Sequence, residues 1–179
     1  MKKQLLFIHI PKTAGTSISA TLNIPKDCGH RTLQQTIKKK SDLDKYYKVS
    51  FVRNPYDRMV SLYNEKKETG HLYKNVDFKK FIHFIYTDIS KISNDPNLEN
   101  HSKPCTFWLK YDEHIVMDYI GKFENIENDF NFICKTLNLN NTKLQHLRSR
   151  NKMHYSNYYD EDSINIVKKY HKEDKLIVK

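Results

Sequence analysis

The chain has 179 residues, 38% of them hydrophobic and 29% charged, which suits one compact core and excludes a membrane protein or a fully disordered chain. Lysine and arginine (31) exceed aspartate and glutamate (21) for a formal net charge of +10, with nine further histidines. Such an excess favours anionic partners such as nucleotide phosphates, nucleic acid or acidic polysaccharide, although a general Lys- and Asn-rich bias makes its placement more informative than its size. No apolar run approaches the roughly 18 residues of a membrane span, and the run after Met1-Lys2-Lys3 is too short for a cleaved signal, so a cytoplasmic protein without a transmembrane segment is expected. Cys28, Cys105 and Cys134 are widely spaced, with no CxxC, which supports neither a disulfide framework nor a zinc cluster.

Residues 4–10 form an apolar run ended by Pro11 and predict a buried strand with His9 inside it. A polar loop follows, then Ile18 and Leu22 at helical spacing. Residues 32–40 read as a short helix. Residues 46–52 predict a second strand, Arg53-Asn54-Pro55 a turn, and residues 56–67 a helix with Met59, Val60, Leu62 and Tyr63 on its apolar face. A third long helix is expected over 78–92, with Phe78, Phe81, Phe84 and Tyr86 in the core. Asn94-Asp95-Pro96-Asn97 is turn chemistry and marks residues 93–103 as a surface loop. Residues 116–123 predict another strand. Asn125 is placed to cap a helix whose stripe is Ile126, Phe130, Ile133, Cys134 and Leu137, and Asp160 opens a last helix carrying Ile164, Val167 and Tyr170. Two strand–helix units joined by a helical crossover predict an α/β fold: a P-loop-like parallel β-sheet flanked by helices, in a single domain spanning 1–179.

Two loops carry chemistry. A turn between a buried strand and a helix presents backbone N–H groups to an anion, and here Lys12, Thr13, Thr16 and Ser17 add charge and hydroxyls while Gly15 permits close approach. The GxxxxGK[ST] signature is absent, because Lys12 precedes the glycine. The second strand ends in Arg53, where a phosphate-transferring P-loop enzyme usually carries an acid for magnesium. Arg53 at a strand's C-terminal edge, with Ser61 two turns into the next helix, makes a second anion site. Two such sites suggest a ligand phosphorylated at both ends.

Residues 7–17, Phe7-Ile8-His9-Ile10-Pro11-Lys12-Thr13-Ala14-Gly15-Thr16-Ser17, resemble the phosphosulfate loop of carbohydrate sulfotransferases of the heparan and chondroitin type. Residues 51–61, Phe51-Val52-Arg53-Asn54-Pro55-Tyr56-Asp57-Arg58-Met59-Val60-Ser61, resemble their 3′-phosphate site, and residues 101–104 and 118–125 resemble further family segments. The resemblance implies 3′-phosphoadenosine 5′-phosphosulfate as donor, 3′,5′-bisphosphoadenosine as product, no required metal, and a hydroxyl of a carbohydrate or glycoconjugate as acceptor. It implies that Pro11, Lys12, Thr13, Ala14, Gly15, Thr16 and Ser17 hold the phosphosulfate and that Arg53 and Ser61 hold the 3′-phosphate. Arg150 and Lys152, with Arg148, read either as a loop that closes over the donor or as a solvated loop. A neutral histidine suits the task of taking the acceptor's proton. His30, between the two loops, resembles a family position for that base, and His101 is the second choice. Arg58 reads either as a nucleotide contact or as a surface ion-pair partner, and Trp108 beside Phe107 as core or as acceptor lining. The rival readings are a P-loop-type nucleotide kinase or phosphotransferase, which Arg53 disfavours, and a nucleic-acid-binding module. The latter is not expected, because the distinctive residues gather at strand–helix turns. Nothing in the sequence specifies an oligomeric state.

Overall fold

The computed structural model describes residues 3–25, 29–69, 73–88, 95–139, 143–145 and 153–178. In chain order they form β1 (Gln4–Ile8), α1 (Gly15–Thr21), α2 (Leu33–Thr36), β2 (Tyr46–Val52), α3 (Pro55–Thr69), α4 (Phe78–Thr87), α5 (Pro96–Ser102), α6 (Cys105–Leu109), β3 (Lys110–Tyr111), β4 (His114–Ile115), β5 (Tyr119–Lys122), α7 (Ile126–Thr136) and α8 (Glu161–Tyr170), with short 3-10 turns between some of them. The chain divides into two compact units. The first is drawn mainly from 1–53 and 105–149, the second from 54–104 and 150–177.

The first unit is built on a parallel sheet of order β1-β2-β5 among the described residues. Phe7 pairs with Val49, and Val49 with Tyr119. Alternation puts Leu5, Phe7, Tyr47, Val49, Phe51 and Tyr119 on one face, where they pack with Ile18 of α1 and with Phe130, Ile133 and Cys134 of α7. Gly121 lies opposite Phe51, and a Cβ there would come within 2.6 Å of the Phe51 ring, so the strand needs glycine at this point. On β2 the next residue to Val49 is Lys48, buried, with its Nζ 2.6 Å from Asp118 Oδ2. The same carboxylate accepts the Lys48 backbone N–H at 2.8 Å. Burial pushes the Asp118 carboxyl upward, but these contacts with Lys48 outweigh it and hold the group below the usual carboxylate range.

The second unit is helical. Met59, Val60, Leu62 and Tyr63 of α3 pack against Phe78, Phe81, Ile82 and Ile85 of α4, Leu98 of α5 and Val167 of α8. Tyr63 meets Phe78 edge-on at 5.4 Å between ring centroids, and Tyr73 meets Phe81 similarly at 5.6 Å. Beneath this core lies a buried polar chain. His171 Nδ1 faces Asp174 Oδ2 at 3.2 Å, and the Tyr86 hydroxyl sits 2.5 Å from His171 Nε2. Burial, more than the neighbouring Arg58 charge, lowers the His171 pKa against the opposing pull of Asp174. The neutral ring therefore donates from Nδ1 to Asp174, and Nε2 faces the Tyr86 hydroxyl, which also lies 3.0 Å from the Ser102 carbonyl.

The strand β2 and helices α3, α7 and α8 follow the sequence expectation closely. Elsewhere the structure corrects it. Residues 93–103 are not all loop: Asp95 accepts the Leu98 N–H at 3.1 Å and caps α5, and Leu98 is fully buried. The Asp-Pro pair is thus a helix start rather than a turn. The helix expected over 78–92 ends at Thr87, and residues 89–94 lie outside the described set. Residues 32–40 hold one turn of helix, α2, before a 3-10 turn at Lys40–Lys45. Asn125 stands at the start of α7 but does not cap it; its side-chain amide donates to Asp129 Oδ1 at 2.9 Å. On α8, Ile164 and Tyr170 are exposed and Val167 alone of the three is in the core. Arg58 is neither a surface ion-pair partner nor exposed: it is fully buried and donates to the carbonyls of His101 and Lys103, holding the end of α5. Among the described residues no helix is long and apolar enough to cross a membrane.

Candidate active site

In a parallel sheet all strands leave at the same edge, so the first unit delivers His9 and the following loop from β1, Arg53 from β2 and Phe123 from β5 to neighbouring positions. The loop after β1 is a tight turn over residues 11–14, in which Lys12 (φ 69°) and Ala14 (φ 64°) both adopt left-handed backbone. Neither is glycine, and each such residue costs on the order of 1 kcal/mol, which the rest of the turn offsets. Thr13 is buried and its hydroxyl donates to the Ile10 carbonyl at 2.9 Å, while the N–H groups of Ser17 and Ile18 both reach back to the Ala14 carbonyl. The Thr13 side chain therefore braces the turn; Thr16 stays exposed and Lys12 half-buried. Gly15 has a reason in the fold besides the one expected. A Cβ there would lie 1.8 Å from the His9 ring, so the side chain is absent to admit that imidazole.

Arg53 is 6% exposed, yet its guanidinium is held on both sides. Nη1 donates to the Lys12 carbonyl at 3.1 Å, and the guanidinium carbon sits 3.9 Å from the centroid of the Phe123 ring. The Arg53 guanidinium is therefore tied to the backbone of the turn that carries Lys12, at one edge of the sheet. A charge fixed in a partly desolvated place acts more strongly on an anion than one in bulk water.

His30 is exposed and follows the turn at Gly29. Its Nδ1 lies 3.0 Å from the His9 carbonyl oxygen. A carbonyl only accepts, so Nδ1 carries the proton and Nε2 presents its lone pair. Two residues on, Thr32 forms a reciprocal cap with Gln35 (3.1 and 2.9 Å), which anchors the segment to α2. The Trp108 ring is buried and lies 6.2 Å from the His30 ring. His9 is not inside the strand, which ends at Ile8; it stands at the exit, half-buried, between Gly15 and His30.

Ser61 is buried on α3 and His101 half-buried at the end of α5, both in the second unit. Arg148, Arg150 and Lys152 lie outside the described residues. Pro11 is buried at the head of the turn. His9 and Phe123 were not foreseen as part of the site. His9 was read as strand interior within the 7–17 segment, and Phe123 as the last residue of the strand expected over 116–123. Among the described residues no group of three or more His, Cys, Asp or Glu is arranged to hold a metal ion.

The strained turn after one strand and the buried arginine after the next both lie at the C-terminal edge of the parallel sheet, where open α/β sheets bind ligands. More particularly, the chain belongs to the sulfotransferase family, whose sequence model matches residues 1–177. It is similar to human (Homo sapiens) carbohydrate sulfotransferase 9, 28% identical over 120 residues that make up 53% of this chain and 26% of the relative. It is also similar to carbohydrate sulfotransferase 8 of Mus musculus, 25% identical over 120 residues, 53% of this chain and 28% of the relative. The match thus spans about a quarter of the length of these curated relatives. No solved structure matches the chain.

Proposed function

We propose that the chain is a sulfotransferase that moves a sulfuryl group from 3′-phosphoadenosine 5′-phosphosulfate to a hydroxyl of a saccharide or glycoconjugate. The observation that carries this reading is the Arg53–Lys12 contact of 3.1 Å, which puts a buried guanidinium against the turn that bears the ammonium. The donor set fits such a ligand: one lysine, one arginine and the exposed Thr16 hydroxyl suit several anionic oxygens. The turn at 11–17 is P-loop-like in position though not in signature. The bound nucleotide would supply an activated sulfur and a stable bisphosphate leaving group.

The chain's residues have distinct tasks in this reading. Lys12 opposes the negative charge that grows on the bridging oxygen as the sulfur–oxygen bond breaks. Arg53, anchored by Phe123 and the loop carbonyl, binds the 3′-phosphate. His30 takes the acceptor's proton on Nε2 while the acceptor oxygen bonds to sulfur and the bisphosphate leaves with the electron pair. The tasks of Ser61, His101, Arg150 and Lys152 rest on the sequence reading. A nucleotide kinase is disfavoured because an arginine stands where that chemistry calls for a magnesium-binding acid.

Replacing Lys12 by Ala tests the reading. Transfer of radiolabelled sulfate from the donor to a saccharide is expected to fall about 10²- to 10³-fold, as when other charge-stabilising donors are removed. The melting temperature should stay close to that of the parent, since the ammonium is no part of the core. Unchanged turnover would remove Lys12 from the chemistry.

A further inference from the structure

We propose that His9 is a positioning residue for His30; this rests on the reading of His30 as the proton acceptor. Two independent contacts carry the proposal. The His9 ring lies 4.4 Å from the His30 ring, at 59° to it, while its own carbonyl accepts the His30 Nδ1 proton at 3.0 Å. On its other side the same ring fills the space a side chain at residue 15 would need, with Cδ2 1.8 Å and Nε2 2.1 Å from that position. Phe7 supports it from the strand, stacked at 6.0 Å and 22°.

His9 is therefore a wedge between the first residue of α1 and the imidazole of His30. The wedge has a chemical consequence. Imidazoles in water favour the proton on Nε2, which would leave His30 with a donor facing the acceptor hydroxyl. The bond to the His9 carbonyl selects the other tautomer, and the His9 ring keeps His30 seated where that bond is made. Gly15 belongs to the same device, because any side chain there would expel the wedge. The proton acceptor and the phosphosulfate turn are thereby tied through one residue, so that a shift of the turn would unseat the base.

The test uses full-length protein labelled with ¹⁵N-histidine and reads the tautomer of His30 by long-range nitrogen–proton correlation, assigned with His30→Gln, alongside steady-state kinetics. In the parent protein His30 should show the Nδ1–H pattern; an Nε2–H pattern would overturn the proposal without any variant. In His9→Ala and in Gly15→Ala the signal should move toward Nε2–H. In His9→Ala turnover should drop about tenfold to a hundredfold while the donor KM stays within about twofold, the split expected for a misplaced catalytic group. His9→Phe, which keeps a flat ring, should recover most of both. A His30 signal and kcat unaltered in His9→Ala would overturn the role of His9. A fully active His30→Gln would instead overturn the reading of His30 as base, and the tautomer signal tells the two failures apart.

Discussion

Arg53 is the residue to which the proposed function gives the 3′-phosphate, and its surroundings show why lysine would serve less well. A planar guanidinium can lie 3.9 Å from the Phe123 centroid and still donate edgewise to the Lys12 carbonyl at 3.1 Å. Arg58, five residues later, has the opposite fate and is spent entirely on the carbonyls of His101 and Lys103. Their sequence contexts do not separate the two, because burial of a charge is decided by which carbonyls the fold brings near it. His171 shows the same dependence on surroundings. Burial holds its pKa below the ordinary value of 6.5, so the unfolded chain binds its proton more readily than the folded one. The contribution is fully present above about pH 6.5 and is lost as the pH falls below it. Urea unfolding at pH 7.5 and pH 5.5 should show the parent losing more stability on acidification than His171→Gln; equal losses would contradict a buried neutral imidazole between Tyr86 and Asp174.

At the scale of elements, β2 was the most legible segment, because a strand buried along most of its length reads as an unbroken apolar run interrupted only by Lys48 and Ser50. Those two are explained by their partners, Asp118 for the ammonium and the Ile8 carbonyl, 2.7 Å from the Ser50 hydroxyl. Short elements left weaker traces. The β3–β4 hairpin turns on Asp112 and Glu113, both at positive φ, where a sequence reading looks for Asn-Gly or Asp-Gly. Helix α5 begins at a capping aspartate before proline, a pair shared by turns and helix starts, and only the burial of Leu98 distinguishes them. β5 offers a direct check of sheet packing. Alanine in place of glycine usually stabilises a strand slightly, but Gly121→Ala puts a methyl 2.6 Å from the Phe51 ring. Overpacking should cost about 1–3 kcal/mol, read as a lower urea midpoint. A raised midpoint would show that the contact between β5 and β2 is looser than described.

For the molecule as a whole, the net charge of +10 turned out to matter less than where two of its cations fall. The spacing of the Lys12 and Arg53 motifs was readable because each follows a buried strand, and parallel pairing then brings both to one edge. The role of His9 was not readable, because a histidine in an apolar run looks like strand interior until the strand's end is known. Ser61 and His101 belong to the helical unit. What stands to be tested first is whether the Lys12 turn and Arg53 serve one bisphosphorylated nucleotide. Titration calorimetry with 3′,5′-bisphosphoadenosine and with 5′-AMP, on the same preparation, answers this most directly. The bisphosphate should bind at least about tenfold more tightly, consistent with one further charge-assisted contact; equal affinities would mean that Arg53 does not read the 3′-phosphate.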